Sequence, residues 1–376
     1  MDNPLQPTLH PSQVAAIART RSAALALHPQ SLEMINHVLY MSNCLPTSST
    51  HHALLSSIRR TARVALHFHP DRPVGAAPSV IASLLTDGIY RSQFETGISN
   101  GGLSARPGGA RDEWERSLFG GAYHGDGWED PEGKWRGLRP KYGALDVLGV
   151  ATDGPAPRFG SCYFVLKEEV LERCTFTFGG SADEPKWKGT MDEFDGVLAG
   201  ALEDAFMRES VMGVRGEMRP SGLVKAILAR GEGVEWEKVR TGNLDYYVEV
   251  QVHGDVKLGR DVEALVADPS FNESEVGMEM VALAAKFGFP LRWHVGSEIK
   301  AEEVPHDFRG PTVPSLAERV AKDGVVNVKA IGDAVSELTR DPAAWSERGS
   351  RAYVLQELKW LWHVLVRYGK PSEPSI

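Results

Sequence analysis

A short run with strand-forming residues ends in two histidines. The run VALHFH stops at Pro70, as a strand does before a loop, and alternation places His67 and His69 on the same face. A pair of imidazoles at a strand end can bind zinc or another divalent ion. This pair therefore predicts one chemistry, that of a metal-dependent hydrolase, although a structural role for at least one of the histidines is an alternative. Further candidates follow at His253, His294, His306 and Asp307.

A second cluster occupies the segment 90–102, which concentrates hydroxyl, amide and glycine groups. Such groups can surround a sugar or a phosphate. The segment has neither the Gly-Lys-Ser/Thr ending of a phosphate-binding loop nor a G-x-G-x-x-G motif between a strand and a helix. A ligand-binding loop and a simple glycine-rich turn both remain open. The candidate ligand-binding residues are Ser92, Gln93, Thr96, Ser99 and Asn100.

A third cluster lies on the run YYVEVQVHGDV, in which valines alternate with polar residues. Alternation puts Tyr247, Glu249 and Gln251 on one face of a strand and the valines on the other. Because burying an unpaired carboxylate is costly, Glu249 is expected to face water, a partner or a ligand. Glu249 is therefore a candidate catalytic acid if that face is a cleft, and a solvated residue if it is not.

The elements that must position these clusters form three segments. Residues 1–63 predict helices, with Ser12 and Ser31 as N-caps and a break at His28-Pro29. Residues 64–310 predict a mixed α+β core, and residues 311–376 predict a second helical segment. Within the core, the runs KYGALDVLG, FGSCYFVL and RCTFTFG read as strands, whereas 87–160 otherwise shows few periodic segments. The predicted fold class is α+β.

The composition limits the function classes. The chain has 376 residues, of which 42% are apolar and 24% charged, as in globular proteins. No stretch approaches the roughly 20 apolar residues that cross a bilayer, and the N-terminus does not read as a secretory signal, so we expect a cytoplasmic protein. A net charge of −9 makes nucleic acid an unlikely partner, and 3 dispersed cysteines cannot form a disulfide framework or a cysteine zinc cage.

Five runs resemble a known family. The runs LHFHPDR, IYRSQFETGISNGGL, LFGGAY, RPKYGALD and APRFGSCYFVL are similar to the family called domain of unknown function 3626, from about Val64 to Arg309. Two further runs, FGSCYFVLKEEVLERCTFTFGGS and YYVEVQVHGDVKLGRDVEAL, resemble toxin-type domains related to the ADP-ribosyltransferases.

The second resemblance implies a split β-sandwich whose cleft binds NAD as a substrate. A late strand would supply a catalytic glutamate, here Glu249, and an early strand would supply a nucleotide-binding His69 or Arg72. Tyr142 would take a middle position, for which Thr175 and Thr177 are alternatives. The residues of the segment 90–102 would line the site.

The same resemblance departs from the family pattern next to the glutamate. Members that modify arginine carry Gln or Glu two residues before it, whereas this chain has Tyr247, which makes arginine a doubtful acceptor. Gln251 lies two residues after Glu249 and is a catalytic candidate without an assigned role.

The sequence therefore predicts an NAD-consuming enzyme that transfers ADP-ribose or hydrolyses NAD and needs no metal. Its acceptor is unidentified and is a protein, a small molecule or water. The alternatives are a metal-dependent hydrolase built on His67 and His69 and a non-catalytic nucleotide-binding module.

Overall fold

The structure is a computed structural model that describes residues 7–97, 105–125, 133–214 and 218–372. Its strands are β1 Arg63–Phe68, β2 Ile89–Tyr90, β3 Lys141–Asp146, β4 Cys162–Leu166, β5 Cys174–Phe178, β6 Lys188–Thr190, β7 Val248–Val252, β8 Val256–Lys257, β9 Val262–Ala267, β10 Leu291–Trp293, β11 Glu298–Lys300 and β12 Val325–Asn327.

Thirteen α-helices accompany these strands in the described residues. They are α1 Pro11–Met41, α2 Thr47–Thr61, α3 Val80–Asp87, α4 Gln93–Thr96, α5 Ala110–Leu118, α6 Trp135–Leu138, α7 Asp195–Arg208, α8 Pro220–Gly231, α9 Leu258–Asp261, α10 Glu275–Phe287, α11 Val313–Val320, α12 Val328–Arg340 and α13 Arg351–Tyr368. The α+β class is therefore confirmed.

The expected helix break at His28-Pro29 is wrong, because α1 runs through both residues without interruption. Proline removes one backbone donor, which costs stability but does not end a helix whose inner face is well packed. Ala24 and Ile35, on either side of Pro29, are both buried. Ser31, which was expected to cap a second helix, instead donates its hydroxyl to the carbonyl of Leu27 at 3.0 Å.

The first N-cap also differs from the expectation. His10, and not Ser12, accepts the capping hydrogen bond at the start of α1, and Gln13 completes a capping box with it. The expectation was based on the preference for serine at N-caps, and here a histidine ring nitrogen supplies the acceptor.

Eight strands form one mixed sheet in the order β10-β9-β4-β1-β3-β7-β5-β6. Strand β3 lies between β1 and β7 and is antiparallel to both. The only parallel pair within this sheet joins β10 to β9, in the described part of the chain. The remaining strands form two small sheets, β11-β12 and β2-β8.

The sheet has one apolar face and one polar face. Val64, Leu66, Phe164 and Val250 belong to the large hydrophobic core, which also includes residues of α1, α7 and α13. Alternation turns the residues between them to the opposite side. We call that side the polar face; its residues include Ala65, His67, Tyr142, Ala144, Tyr163, Thr175, Thr177, Glu249 and Gln251.

Within the ranges that the structure describes, no helix is both long enough and apolar enough to cross a membrane.

Candidate active site

Glu249 lies in the middle of β7 on the polar face, with Ala144 of β3 on one side and Thr177 of β5 on the other. Only 7% of its surface is exposed, so the expected contact with water is largely absent. Ser181 of the loop 179–184 contacts the carboxylate directly, and Glu115 of α5 contacts the neighbouring Tyr142. The carboxylate is buried because neighbouring donors pair with it.

Three donors hold the Glu249 carboxylate. The Tyr247 hydroxyl donates to Oε2 at 2.7 Å, and the Gln251 amide donates to Oε1 at 3.0 Å. The backbone N–H of Ser181 also donates to Oε1, at 3.2 Å. Burial, and next the adjacent carboxylate, raise the pKa of Tyr247 well above its usual value, so the phenol keeps the proton that it donates. Glu249 is thus a fixed acceptor.

A chain of hydrogen bonds extends from Gln251 to Tyr123. The Thr175 hydroxyl donates to the Gln251 carbonyl at 2.8 Å and lies 3.1 Å from Nε2 of His253. The other ring nitrogen, Nδ1, is 2.6 Å from the Tyr123 hydroxyl. Every member is satisfied if Tyr123 donates to Nδ1 and Nε2–H donates to Thr175. This assignment fixes the Gln251 amide with its NH₂ toward Glu249.

Helix α5 brings a second set of charges over Tyr142, which is the direct partner of Gln251 in the sheet. The Tyr142 hydroxyl donates to Oε1 of Glu115 at 2.8 Å. Arg139 donates to Oε2 of Glu115 at 2.8 Å and to Asp112 at 2.5 Å. All three charged side chains are 0% exposed. The network is therefore a buried ion cluster, in which each lost partner leaves a charge unpaired.

Burial raises the pKa of Glu115, an effect that the charge of Arg139 opposes. At Asp112 burial acts in the same direction, but the hydrogen bonds from the Gly108 N–H and from His124, together with the charges of Arg139 and His124, lower the pKa. The two carboxylates therefore differ in basicity although they share one guanidinium.

Arg111 is the cation near the polar face that most resembles a group free to bind a ligand. Its guanidinium lies 4.8 Å from the ring centre of Tyr142 and 4.4 Å from that of Trp114. It is 5% exposed, and its Nε is buried with no hydrogen-bond partner among the described residues. A buried guanidinium that stacks on two aromatic rings and has an unpaired N–H can donate to an oxygen of a ligand.

His67 has the surroundings of a structural histidine. Its Nδ1 lies 3.0 Å from the Gly160 carbonyl, and its Nε2 accepts from the Ala156 N–H at 3.3 Å. Burial lowers the pKa of His67 to about 4, so the ring is neutral at neutral pH. Both ring nitrogens are thus engaged by backbone. Among the residues that the structure describes, no group of three or more His, Cys, Asp or Glu is arranged to hold a metal ion.

His69 and Arg72 lie beyond the end of β1, away from Glu249. The His69 ring is 5.1 Å from the Trp362 ring of α13, edge to face. Arg72 pairs with Asp71 at 2.9 Å. Because β3 separates β1 from β7, the end of β1 lies about 10 Å or more from Glu249. The structure brings Glu249, Gln251 and Tyr142 together, whereas His69 and Arg72 lie apart from them.

Three of the candidates in the segment 90–102, Ser92, Gln93 and Thr96, lie among the described residues. Ser92 caps α4, in a capping box with Glu95, and donates its hydroxyl to the Arg136 carbonyl at 2.7 Å. Thr96 donates to the Ser92 carbonyl at 3.2 Å. Gln93 has a buried Oε1 without a hydrogen-bond partner in the described chain. Ser99 and Asn100 lie outside the described residues.

An open cavity of about 370 Å³ lies next to the start of β7 and does not include Glu249. Its walls come from the end of α7 and from the loop 241–246, with Arg208, Asp245 and Tyr246 among them. The pairing of residues around Glu249, and not cavity size, therefore identifies the candidate site.

The buried neutral histidines predict a pH-dependent stability. Burial lowers the pKa of His67 to about 4 and that of His253 to about 3. Both folded-state values lie below the unfolded value of about 6.5, so the unfolded chain binds protons first on acidification. Their contribution to the free energy of unfolding is complete above about pH 6.5 and is lost as pH falls toward about 4 for His67 and about 3 for His253.

We expect the free energy of unfolding, measured with urea, to fall by up to about 1.4 kcal/mol per pH unit per histidine in that window. His67→Gln should be less stable near neutral pH and have a shallower slope, by about one proton. The matched control is His52→Gln, since His52 is exposed. An unchanged slope in the His67 variant would show that the ring titrates normally.

The sequence did not indicate the charged residues of α5 that lie next to Tyr142. Arg111, Asp112 and Glu115 lie on α5 within ARDEWERSL, in the region 87–160 where the sequence shows few periodic segments. An available signal was the spacing of Arg111 and Glu115, four residues apart and so on one helical face. Arg139 follows in the next described segment.

Fold and site together define an α+β protein with a mixed sheet whose polar face carries a buried, hydrogen-bonded carboxylate. Over residues 63–368 the chain matches the family described as protein of unknown function (DUF3626), and it belongs to that family. The matched region ends at the last residue of α13, so it includes the C-terminal helices as well as the sheet. A search of curated proteins finds no match. The family description names no activity and gives no support to the ADP-ribosyltransferase resemblance.

Proposed function

We propose that this protein consumes NAD in the manner of an ADP-ribosyltransferase. It would break the bond between nicotinamide and ribose and pass ADP-ribose to water or to another acceptor. The proposal includes the finer fold assignment, an ADP-ribosyltransferase-like split β-sandwich core, with the polar face lining the cleft.

The observation that carries the proposal is the fixed carboxylate of Glu249. A carboxylate offers about four acceptor positions, and the described residues use three of them at Glu249. Oε2 thus retains room to accept from a ribose hydroxyl. Positive charge develops on that ribose as nicotinamide leaves, and a preoriented carboxylate stabilises it without reorganisation.

Tyr142 is the preferred residue for the middle position. It is the sheet partner of Gln251, and its ring carries the guanidinium of Arg111. Of its alternatives, Thr175 already donates to Gln251, and Thr177 donates to the Gly179 carbonyl at 2.8 Å. In this proposal the Tyr142 ring packs against nicotinamide and Arg111 binds its carboxamide oxygen.

For the nucleotide-binding position on the early strand, His69 is favoured over Arg72. Arg72 is paired with a carboxylate, whereas His69 has aromatic and cationic neighbours. The acceptor stays unidentified, and Tyr247 in place of a Gln or Glu argues against arginine.

The metal-dependent hydrolase is less well supported. Such an enzyme needs a free imidazole nitrogen to ligate the ion, and both nitrogens of His67 face backbone groups. A non-catalytic nucleotide-binding module is distinguished from the enzyme by turnover alone.

The test is incubation of the purified protein with NAD, followed by chromatography of nicotinamide and ADP-ribose, with and without exhaustive chelation. Cleavage that survives chelation is the expected result. NAD binding without nicotinamide release would instead indicate a binding module. Loss of cleavage on chelation, with recovery on adding zinc, would favour the hydrolase.

Tyr247 is proposed as a positioning residue. Tyr247→Phe removes one of the three donors to Glu249 and is expected to lower kcat about tenfold, with little change in KM, since the carboxylate acts in the transition state. Steady-state kinetics of nicotinamide release measures this. A matched control is Tyr90→Phe, because Tyr90 lies on the apolar side against Phe164. A rise in KM alone would mean that Tyr247 binds substrate instead.

A further inference from the structure

One face of α13 carries a row of cationic and imidazole side chains. Lys359, His363 and Arg367 are spaced four residues apart, so they lie one above another on the helix. Arg158 and Arg309 come from two loops that contact the same helix. We call these five residues the basic cluster.

Specific contacts hold the two loops against α13. The Trp362 indole N–H donates to the Arg158 carbonyl at 3.3 Å, and Arg158 itself donates to the Leu244 carbonyl at 2.9 Å. The Phe308 ring lies 5.2 Å from the Tyr368 ring, which places Arg309 beside the end of the helix. The two loops that carry Arg158 and Arg309 are therefore packed against α13.

Negative charge is scarce around the basic cluster. Asp245 pairs with Arg367 at 3.1 Å. In the described ranges, neither Lys359 nor Arg309 nor Arg158 forms an ion pair with a carboxylate. Burial, and then the charges of Arg158 and Arg309, lower the pKa of Lys359 to about 8. The cations thus repel one another in a protein whose net charge is −9.

His363 adds an independent observation. It is 5% exposed, and neither of its ring nitrogens has a hydrogen-bond partner among the described residues. A buried polar group without a partner is costly, as is a group of like charges, and a bound ligand, ion or water can offset that cost.

We propose that the basic cluster binds a phosphate-bearing anion, and specifically the diphosphate of NAD. The choice of NAD rests on the function proposed above, whereas binding of a diphosphate group does not. Arginine forks and a lysine ammonium are the side chains that most often bind phosphate oxygens.

The position of the basic cluster fits this ligand. Phe159, next to Arg158, packs its ring 5.4 Å from that of Tyr247, whose hydroxyl holds Glu249. Arg158 of the basic cluster is therefore one residue from a ring that contacts Tyr247, whose hydroxyl donates to Glu249. In NAD the diphosphate is attached to the same ribose whose bond to nicotinamide is broken, so both groups must be bound close together.

The test measures binding of inorganic pyrophosphate and of ADP-ribose by isothermal titration calorimetry. We expect Lys359→Met and Arg309→Ala each to lower the affinity for both ligands about tenfold. Arg309 is exposed, so its variant should fold even if the lysine variant does not. Arg351→Ala is the matched control, because Arg351 is an exposed arginine on the same helix.

Two further readouts separate a binding site from a structural one. Binding near about pH 8 should take up protons, since a bound anion raises the pKa of Lys359, and this appears as a dependence of the heat on buffer ionisation. Lys359→Met without ligand should unfold at the same or a higher temperature, because a repulsion is removed. A lower unfolding temperature with unchanged pyrophosphate affinity would overturn the proposal.

The outcomes distinguish this inference from the function on which it partly rests. If pyrophosphate binds through the basic cluster but NAD is not cleaved, the anion site stands and the enzymatic proposal fails. If NAD is cleaved and neither variant changes the affinity for ADP-ribose, the anion site is wrong and the enzymatic proposal stands.

Discussion

Replacing Glu249 with Gln is expected to slow nicotinamide release from NAD by about a hundredfold or more, since one group that stabilises transition-state charge is lost. The amide keeps the size of the side chain and an oxygen that can accept from Ser181 and Gln251. It cannot offer the negative charge that would face the ribose. The effect should therefore appear in kcat, with KM nearly unchanged.

The control for this variant is Glu203→Gln. Glu203 is a partly buried glutamate on α7 that accepts from the Trp187 indole at 2.9 Å, far from the polar face. It should keep wild-type turnover. Circular dichroism and the unfolding midpoint must show that Glu249→Gln is folded. Wild-type turnover in the folded Glu249 variant would remove this residue from the mechanism.

The sequence predicted β7 because alternation is a local signal. Valines at every second position indicated which face is buried, and the structure places Val248, Val250 and Val252 in the core. The same pattern put Tyr247, Glu249 and Gln251 together. It could not show that Tyr247 and Gln251 would bind the carboxylate, since side-chain hydrogen bonds depend on rotamers.

Other features depended on distant partners. Pro29 lies inside α1 because packing on either side outweighs the lost backbone bond, which no local rule shows. The role of His67 is set by the loop carrying Ala156 and Gly160, about 90 residues away. Local rules predict residue pairs, turns and helix caps, whereas the burial of a side chain depends on tertiary packing.

The segment around α5 shows the same limit for charge. A helix with inward arginine, aspartate and glutamate looks like an irregular polar stretch until its partner is known. That partner, Arg139, comes from beyond the region 126–132 and lies fully buried against Asp112 and Glu115. Complementary charges at a distance in sequence carry no periodic signal.

Arg139→Met is expected to cost about 3–5 kcal/mol in the free energy of unfolding, because it leaves two buried carboxylates without their guanidinium. Methionine fills much of the same space, so the loss of charge dominates over the loss of volume. Arg139→Lys should cost less, since it keeps the charge but lacks the fork that reaches both carboxylates. Urea denaturation measures all three proteins. The control is Arg59→Met, whose exposed pair with Asp192 should contribute less than about 1 kcal/mol.

The cost of Arg139→Met should also depend on pH in a defined direction. Burial already raises the pKa of Glu115, and removing the opposing charge of Arg139 raises it further. A carboxyl group whose folded pKa exceeds its unfolded value binds protons more strongly when folded, so the stability of the variant falls as pH rises. The difference from wild type should thus be smaller near about pH 5 than near about pH 8. A cost that is independent of pH would mean that water enters the variant and solvates Glu115, so that the pKa of this carboxyl group does not rise further.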